Sequence, residues 1–141
     1  MDVRSDPLRV LVVEDDVSDA RILAHLLRED GYDVEVVIDG ASAIGRLART
    51  PAPDVVLVDY NLPHADGLAV ASYARSRDPG VEVVVVTGYP EIIARIAGHT
   101  GRIRAVFTKP LVYTELTLEL ERVRVARATP IAATAFAVAG G

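Results

Sequence analysis

No cysteine occurs among the 141 residues. Disulfides and thiolate metal sites are therefore excluded, and a cytoplasmic setting is compatible with that. Tryptophan is also missing, and aromatic residues make up only 5%, too few for a base-stacking surface. Basic residues do not predominate. The formal net charge is −5, which argues against a nucleic-acid binder driven by phosphate contacts. No apolar run approaches the roughly 18–20 residues that a membrane helix needs. The opening MDVRSDPLRV has no signal-peptide pattern. The expectation is a cytoplasmic chain with no nucleic-acid partner and no membrane insertion.

What is present is ordinary in amount and informative in order. The length suits one domain with a substantial core, and hydrophobic residues reach 50%. The stretch DVVLVDYNLPHADG, Asp54 to Gly67, organises the rest. Val55, Val56, Leu57 and Val58 form an unbroken apolar run that reads as a strand buried on both faces. Asp59 closes it at the carboxyl end, where open α/β sheets bind their ligands. Asn61, Leu62 and Pro63 turn the chain, and Asp66-Gly67 opens a helical pattern. Asp59 taken alone is as well explained by a turn-capping role as by a nucleophile or metal ligand.

The same rhythm runs through the chain. Leu8 to Glu14, Asp33 to Ile38, Val81 to Val86 and Ile103 to Thr108 read as further strands. Ile22, Leu23, Leu26 and Leu27 recur at helical spacing after Asp16 or Ser18 as cap, with Gly31 as the stop. Helical stripes also follow in Gly40 to Arg49, from Leu68 to Ala74, in Pro90 to Ala97 up to Gly98, and from a cap at Thr114 to about Arg124. Tyr113 and Leu118 are spaced for a hydrophobic staple at that last start. No hairpin-sized turn separates two strands in this reading. Five strand–helix alternations imply parallel strands with helical crossovers. The expected architecture is a three-layer α/β sandwich with helices on both faces. A domain over residues 1–125 is followed by a tail, 126–141, in which seven of sixteen residues are Ala. That tail is expected to fray, or to dock as a weak apolar helix.

Four strand ends carry reactive side chains: Glu14-Asp15-Asp16, Asp59, Thr87 and Lys109. In a parallel sheet these ends share one edge. Three clustered carboxylates would raise one another's pKa values. A hard divalent cation relieves that, and an oxygen set of this kind suits Mg²⁺. Three carboxylates, one Mg²⁺ and Lys109 sum to zero charge. A phosphoryl group on Asp59 could then be bound by the metal, Lys109 and the Thr87 hydroxyl. Phosphoryl transfer asks mainly for in-line positioning and charge neutralisation. Asp16 reads as a helix cap rather than a ligand. His25, His64 and His99 form no metal spacing; His25 reads as exposed, and His64 lies in the loop beside Asp59.

The motifs VLVVEDD, DVVLVDYNLP followed by DG, VVVVTG and FTKP together resemble the receiver domains of two-component response regulators. The resemblance covers Leu8 to about Arg124. It implies a flavodoxin-like fold of five parallel strands in the order 2-1-3-4-5. It implies Asp59 as phospho-acceptor, with Asp15 and Asp59 binding Mg²⁺ through carboxylates, Glu14 more indirectly and Asn61 through its backbone carbonyl. Thr87 and Lys109 would contact the phosphoryl group, and the Lys109–Pro110 peptide would be cis. The donor would be a phosphohistidine on a sensor kinase or phosphotransfer protein. Output would pass through the face of the fourth helix, fifth strand and fifth helix to a downstream protein, or through a homodimer. The chain would catalyse only its own phosphorylation and dephosphorylation and would not otherwise be an enzyme.

The chain departs from the family at one switch position. Many receivers carry Tyr or Phe three residues before the lysine, where this sequence has Val106. Phe107 beside it should face the opposite way. Tyr89, just after Thr87, is the candidate mobile ring, and Thr-Gly-Tyr here is similar to a subset of stand-alone receivers. Tyr89 and Asn61 would also flank the water that attacks the aspartyl phosphate, so a long-lived phosphoryl group is expected. The short tail leaves no room for a helix-turn-helix module, hence the expectation of output by protein contact or onward phosphotransfer. Two rivals are a Toprim-type metal-dependent nuclease or primase-like domain and a non-phosphorylated receiver used as an interaction module. The first would want Asp-x-Asp where this chain has Asp59-Tyr60-Asn61, and a basic surface. The second is disfavoured by the retained acids, Thr87 and Lys109.

Overall fold

A computed structural model describes residues 6–63, 65–97 and 103–128. Strands β1 (Arg9–Val13), β2 (Asp33–Val37), β3 (Val55–Asp59), β6 (Glu82–Thr87) and β7 (Ala105–Thr108) form one sheet. All its pairings are parallel, in the spatial order β2-β1-β3-β6-β7. Counted within this sheet alone, that is the expected 2-1-3-4-5. Helices α1 (Val17–Glu29), α2 (Gly40–Leu47), α3 (Gly67–Arg77), α4 (Ile93–Ala97) and α5 (Tyr113–Ala128) supply the crossovers.

Val-rich strands place alternate residues on opposite faces of the sheet. Val10, Val12, Val55, Leu57, Val84 and Val86 face Ala24, Leu27, Leu116 and Leu120 of α1 and α5. Leu11, Val13, Val56, Val58, Val83 and Val85 face Ala43, Leu47, Val70, Ala71 and Ile96 of α2, α3 and α4. These are the three layers. β3 is buried along its whole length, and full burial of each such side chain contributes about 1.5–3 kcal/mol. The central strand, which carries Asp59, is therefore anchored along its length in the core.

The first three helices begin on an aspartate. Asp16 accepts from the Asp19 N–H at 2.9 Å, Asp39 from Ser42 at 2.7 Å and Asp66 from Ala69 at 2.8 Å. Asp16, not Ser18, is the cap of α1. Gly31 follows α1 with φ +93°, a conformation that favours glycine.

Several local expectations change. A short antiparallel ladder does occur: β4 (Asn61–Leu62) pairs with β5 (Ala65–Asp66) in the loop after β3. The stretch after Pro90 splits into a 3₁₀ turn, Pro90–Ile92, and α4. The expected stop Gly98 lies outside the described residues, as do His64, His99 and the tail from residue 129.

The last helix starts at Tyr113, one residue before the expected cap, and reaches Ala128, beyond Arg124. Polar ties hold its added turn. Arg127 pairs with Asp54 at 3.3 Å and donates to the Gly80 carbonyl. At the start of the helix the Tyr113 hydroxyl bonds Asp30, and Leu118 is 56% exposed. On α1 the expected stripe is only partly covered: Leu27 is buried, while Ile22 and Leu26 stay exposed.

Candidate functional site

Asp59 ends β3 and is only 5% exposed. Its carboxylate is held from both sides. Oδ1 accepts the Asn61 N–H at 3.0 Å, and Oδ2 accepts the Lys109 ammonium at 2.6 Å. Lys109 follows β7, and its backbone N–H donates to the Thr87 carbonyl at 2.8 Å. The same ammonium lies 3.4 Å from Glu14 Oε1. Ligand oxygens of Glu14, Asp15 and Asp59 all lie within 4.8 Å of one another. Residues 14, 15, 59 and 109 thus meet at the carboxyl edge of the sheet. The register makes this possible, since β1, β3, β6 and β7 are neighbours.

The loop after Asp59 leaves no space for a side chain at Gly67. The Gly67 N–H donates to the Tyr60 carbonyl at 2.8 Å. A Cβ there would sit 2.5 Å from the Asp59 carbonyl oxygen and 2.9 Å from Tyr60 Cα. Asp66-Gly67 was legible as a helix start. The close approach to the Asp59 backbone was not, because it depends on how α3 returns over β3.

Thr87 is fully buried, and its hydroxyl accepts the Tyr89 N–H at 3.0 Å. It sits at the end of β6, beside the strand that carries Asp59. Tyr89 is 52% exposed. Val106 pairs with Val85 and packs on the α2–α4 face, while Phe107 packs on the α1–α5 face. The two side chains do point to opposite sides. The Lys109–Pro110 peptide is cis, and so is Thr50–Pro51, which the sequence did not single out. His25 is exposed.

The charges are unevenly placed. Burial pushes the Glu14 carboxyl up to about 7; the Asp16 N–H opposes this, the Asp59 charge adds to it and Lys109 opposes it. Burial alone would lower Lys109. The hydrogen bond and charge of Asp59, with Glu14 behind them, outweigh it and hold the ammonium above its ordinary range.

The donor set fits Mg²⁺. The oxygens are hard and lie within 4.8 Å of one another, the donor chemistry that a hard divalent cation takes. Beside the acids a cavity of about 590 Å³ runs between α1 and the chain leading into α5, past Ile22, Leu26, Leu111 and Tyr113.

A parallel five-stranded α/β sandwich with acids and a lysine at its carboxyl edge defines the class. The family model described as response regulator receiver domain matches residues 10–121. The chain belongs to that family. It is 39% identical over 114 residues to the probable transcriptional regulatory protein TcrX of Mycobacterium tuberculosis, covering 81% of this chain and 48% of that protein. It is 35% identical over 121 residues to the transcriptional regulatory protein PrrA of Mycobacterium leprae, covering 86% and 52%. A CheY-like receiver domain protein from Methanospirillum hungatei JF-1 has the same fold, with TM-score 0.80 and 21% identity over 89% of this chain and 99% of that one.

The chain spans about half the length of the curated relatives it matches. Those relatives are named as transcriptional regulators, so the net charge of these residues gives no ground for excluding nucleic acid from the output. The family assignment also sets aside the Toprim-type reading. No helix among the described residues is long and apolar enough to cross a membrane.

Proposed function

We propose that the chain accepts a phosphoryl group on Asp59 from a phosphohistidine donor and acts in a two-component phosphorelay. The observation that carries this is the Asp59 carboxylate, buried at a strand end, with Lys109 at 2.6 Å and Glu14 and Asp15 beside it. Glu14, Asp15, Asp59 and the Asn61 backbone carbonyl would hold Mg²⁺. When bound, the ion supplies positive charge against the phosphoryl oxygens.

This chain's own groups do the rest. In the transfer an Asp59 oxygen forms the new O–P bond as the N–P bond of the donor breaks and the imidazole leaves. The Lys109 ammonium gives up part of its bond to Oδ2 and binds a phosphoryl oxygen. The Thr87 hydroxyl, now an acceptor for Tyr89 N–H, has a proton free to donate to another. Such preorganised donors lower the barrier because they need not reorganise as charge moves. The chain would thus promote only its own modification and its reversal.

The donor would be a sensor histidine kinase or a histidine phosphotransfer protein. Output would leave through α4, β7 and α5. Val106 offers no ring to rotate, so Tyr89 and the Gly88–Pro90 segment are the candidate switch. By analogy with the named relatives, a longer protein containing this domain would regulate transcription. Incubation with acetyl phosphate or beryllofluoride and Mg²⁺ tests the assignment. The expected result is a covalent or tightly bound adduct that Asp59→Asn abolishes; an adduct retained in that variant rejects it. No adduct on the wild type would favour the non-phosphorylated interaction module.

A further inference from the structure

Two hydroxyl–carboxylate bonds join the end of α1 to α5. Tyr113 Oη donates to Asp30 Oδ2 at 2.6 Å, and Tyr32 Oη donates to Glu121 Oε2 at 2.5 Å. The phosphoryl chemistry uses neither. Tyr113, however, is the first residue of α5 and stands four positions after Lys109. The segment Lys109–Val112 is tied at its start by Lys109 N–H to the Thr87 carbonyl, at 2.8 Å. The Val112 carbonyl accepts from Glu115 and Leu116, within the first turn of α5. Packing braces the segment on one side, where Leu111 meets the α1–α5 core. Leu111 and Tyr113 also line the cavity that reaches Ile22 and Leu26 on α1. Tyr113 packs against the α1–α5 core as well, and its hydroxyl reaches Asp30 at the end of α1.

A lysine side chain is a flexible four-carbon stem, so its backbone origin decides where the ammonium can reach. We propose that Tyr113 is a positioning residue: through its bond to Asp30 it fixes the Lys109–Val112 segment so that the Lys109 ammonium meets the Asp59 carboxylate. This rests on the phospho-acceptor reading of Asp59. Losing the bond lets the segment relax into the cavity and lengthens the Lys109–Asp59 contact before any donor arrives.

The full chain is incubated with Mg²⁺ and acetyl phosphate, and Asp59 modification is followed by intact mass. Tyr113→Phe keeps the ring and removes only the hydroxyl. It should slow modification on the order of tenfold, as a small misplacement of a reacting group does. Asp30→Ala should slow it by the same factor, and the double variant by no more than either single one, because both remove one interaction. Asp30→Asn retains an acceptor oxygen and should stay near the wild-type rate. The Lys109 ammonium resonance, read without donor, should move in Tyr113→Phe and not in Asp30→Asn.

A folded Tyr113→Phe protein with unchanged rate and unchanged Lys109 resonance overturns the proposal. So does a lowered Tm with an unchanged rate, which marks a purely structural bond. If the wild type takes no phosphoryl group, the phospho-acceptor reading fails. The Lys109 resonance then still decides whether Tyr113 places that side chain.

Discussion

Glu14 shows how one residue ties the site to solution conditions. Its carboxyl titrates at about 7 in the fold against an ordinary 4.5. Between those values the folded state holds a proton that the unfolded chain has released. The stability linked to this group is full below about pH 4.5 and is lost as pH rises through about 7. A cation at the acids competes with that proton. Mg²⁺ affinity should therefore increase from pH 6 to pH 8, measured by calorimetric titration, and Glu14→Gln should flatten the dependence. Gly67 makes a steric prediction at the same scale. A Cβ at 2.5 Å from the Asp59 carbonyl meets backbone rather than a movable side chain. Gly67→Ala should cost about 1–3 kcal/mol in urea unfolding and slow modification of Asp59, since the clash is transmitted to that residue. Tyr89 is half exposed beside buried Thr87. Its replacement by Ala should weaken binding of a downstream partner to the phosphorylated form, read by a pull-down with and without beryllofluoride.

Among the elements, α1, α2 and α3 share one device at their starts: an aspartate accepting the N–H three residues on. Asp66→Ala removes the cap of the helix that follows Asp59. It should cost about 1 kcal/mol in chemical denaturation. α5 is organised differently. Its polar residues reach other elements: Glu119 meets Arg104 at 2.6 Å, Glu121 meets Tyr32 at 2.5 Å and Arg127 meets Asp54 at 3.3 Å. These ties explain why it runs on to Ala128, where local pattern alone stopped near Arg124.

Over the whole molecule, the site belongs to no single segment. Glu14 and Asp15 follow β1, Asp59 ends β3, Thr87 ends β6 and Lys109 follows β7. A cation held by Glu14, Asp15 and Asp59 together binds the folded chain and not the unfolded one. Mg²⁺ at a hundredfold excess over its Kd should then stabilise the fold by about 2.7 kcal/mol. Thermal melts with the ion and with a chelator check this, and Asp59→Asn should remove most of the shift.

The five strands, their parallel pairing and the edge residues were legible before any coordinates, while the strand order followed from the resemblance to receiver domains. Valine runs fix strands, alternation with helical stripes fixes a parallel sheet, and the acids, threonine and lysine at four strand ends then fall on one edge. That inference needed only periods of two and 3.6 residues, which are local properties. What the chain order could not contain was contact between distant parts. The Tyr113–Asp30 and Tyr32–Glu121 bonds join residues 83 and 89 positions apart. The approach of Gly67 to the Asp59 backbone, the proton kept by Glu14 and the length of α5 were likewise decided only when helices settled on the sheet. Each depends on distance and on exclusion of water, and neither exists until the layers have packed.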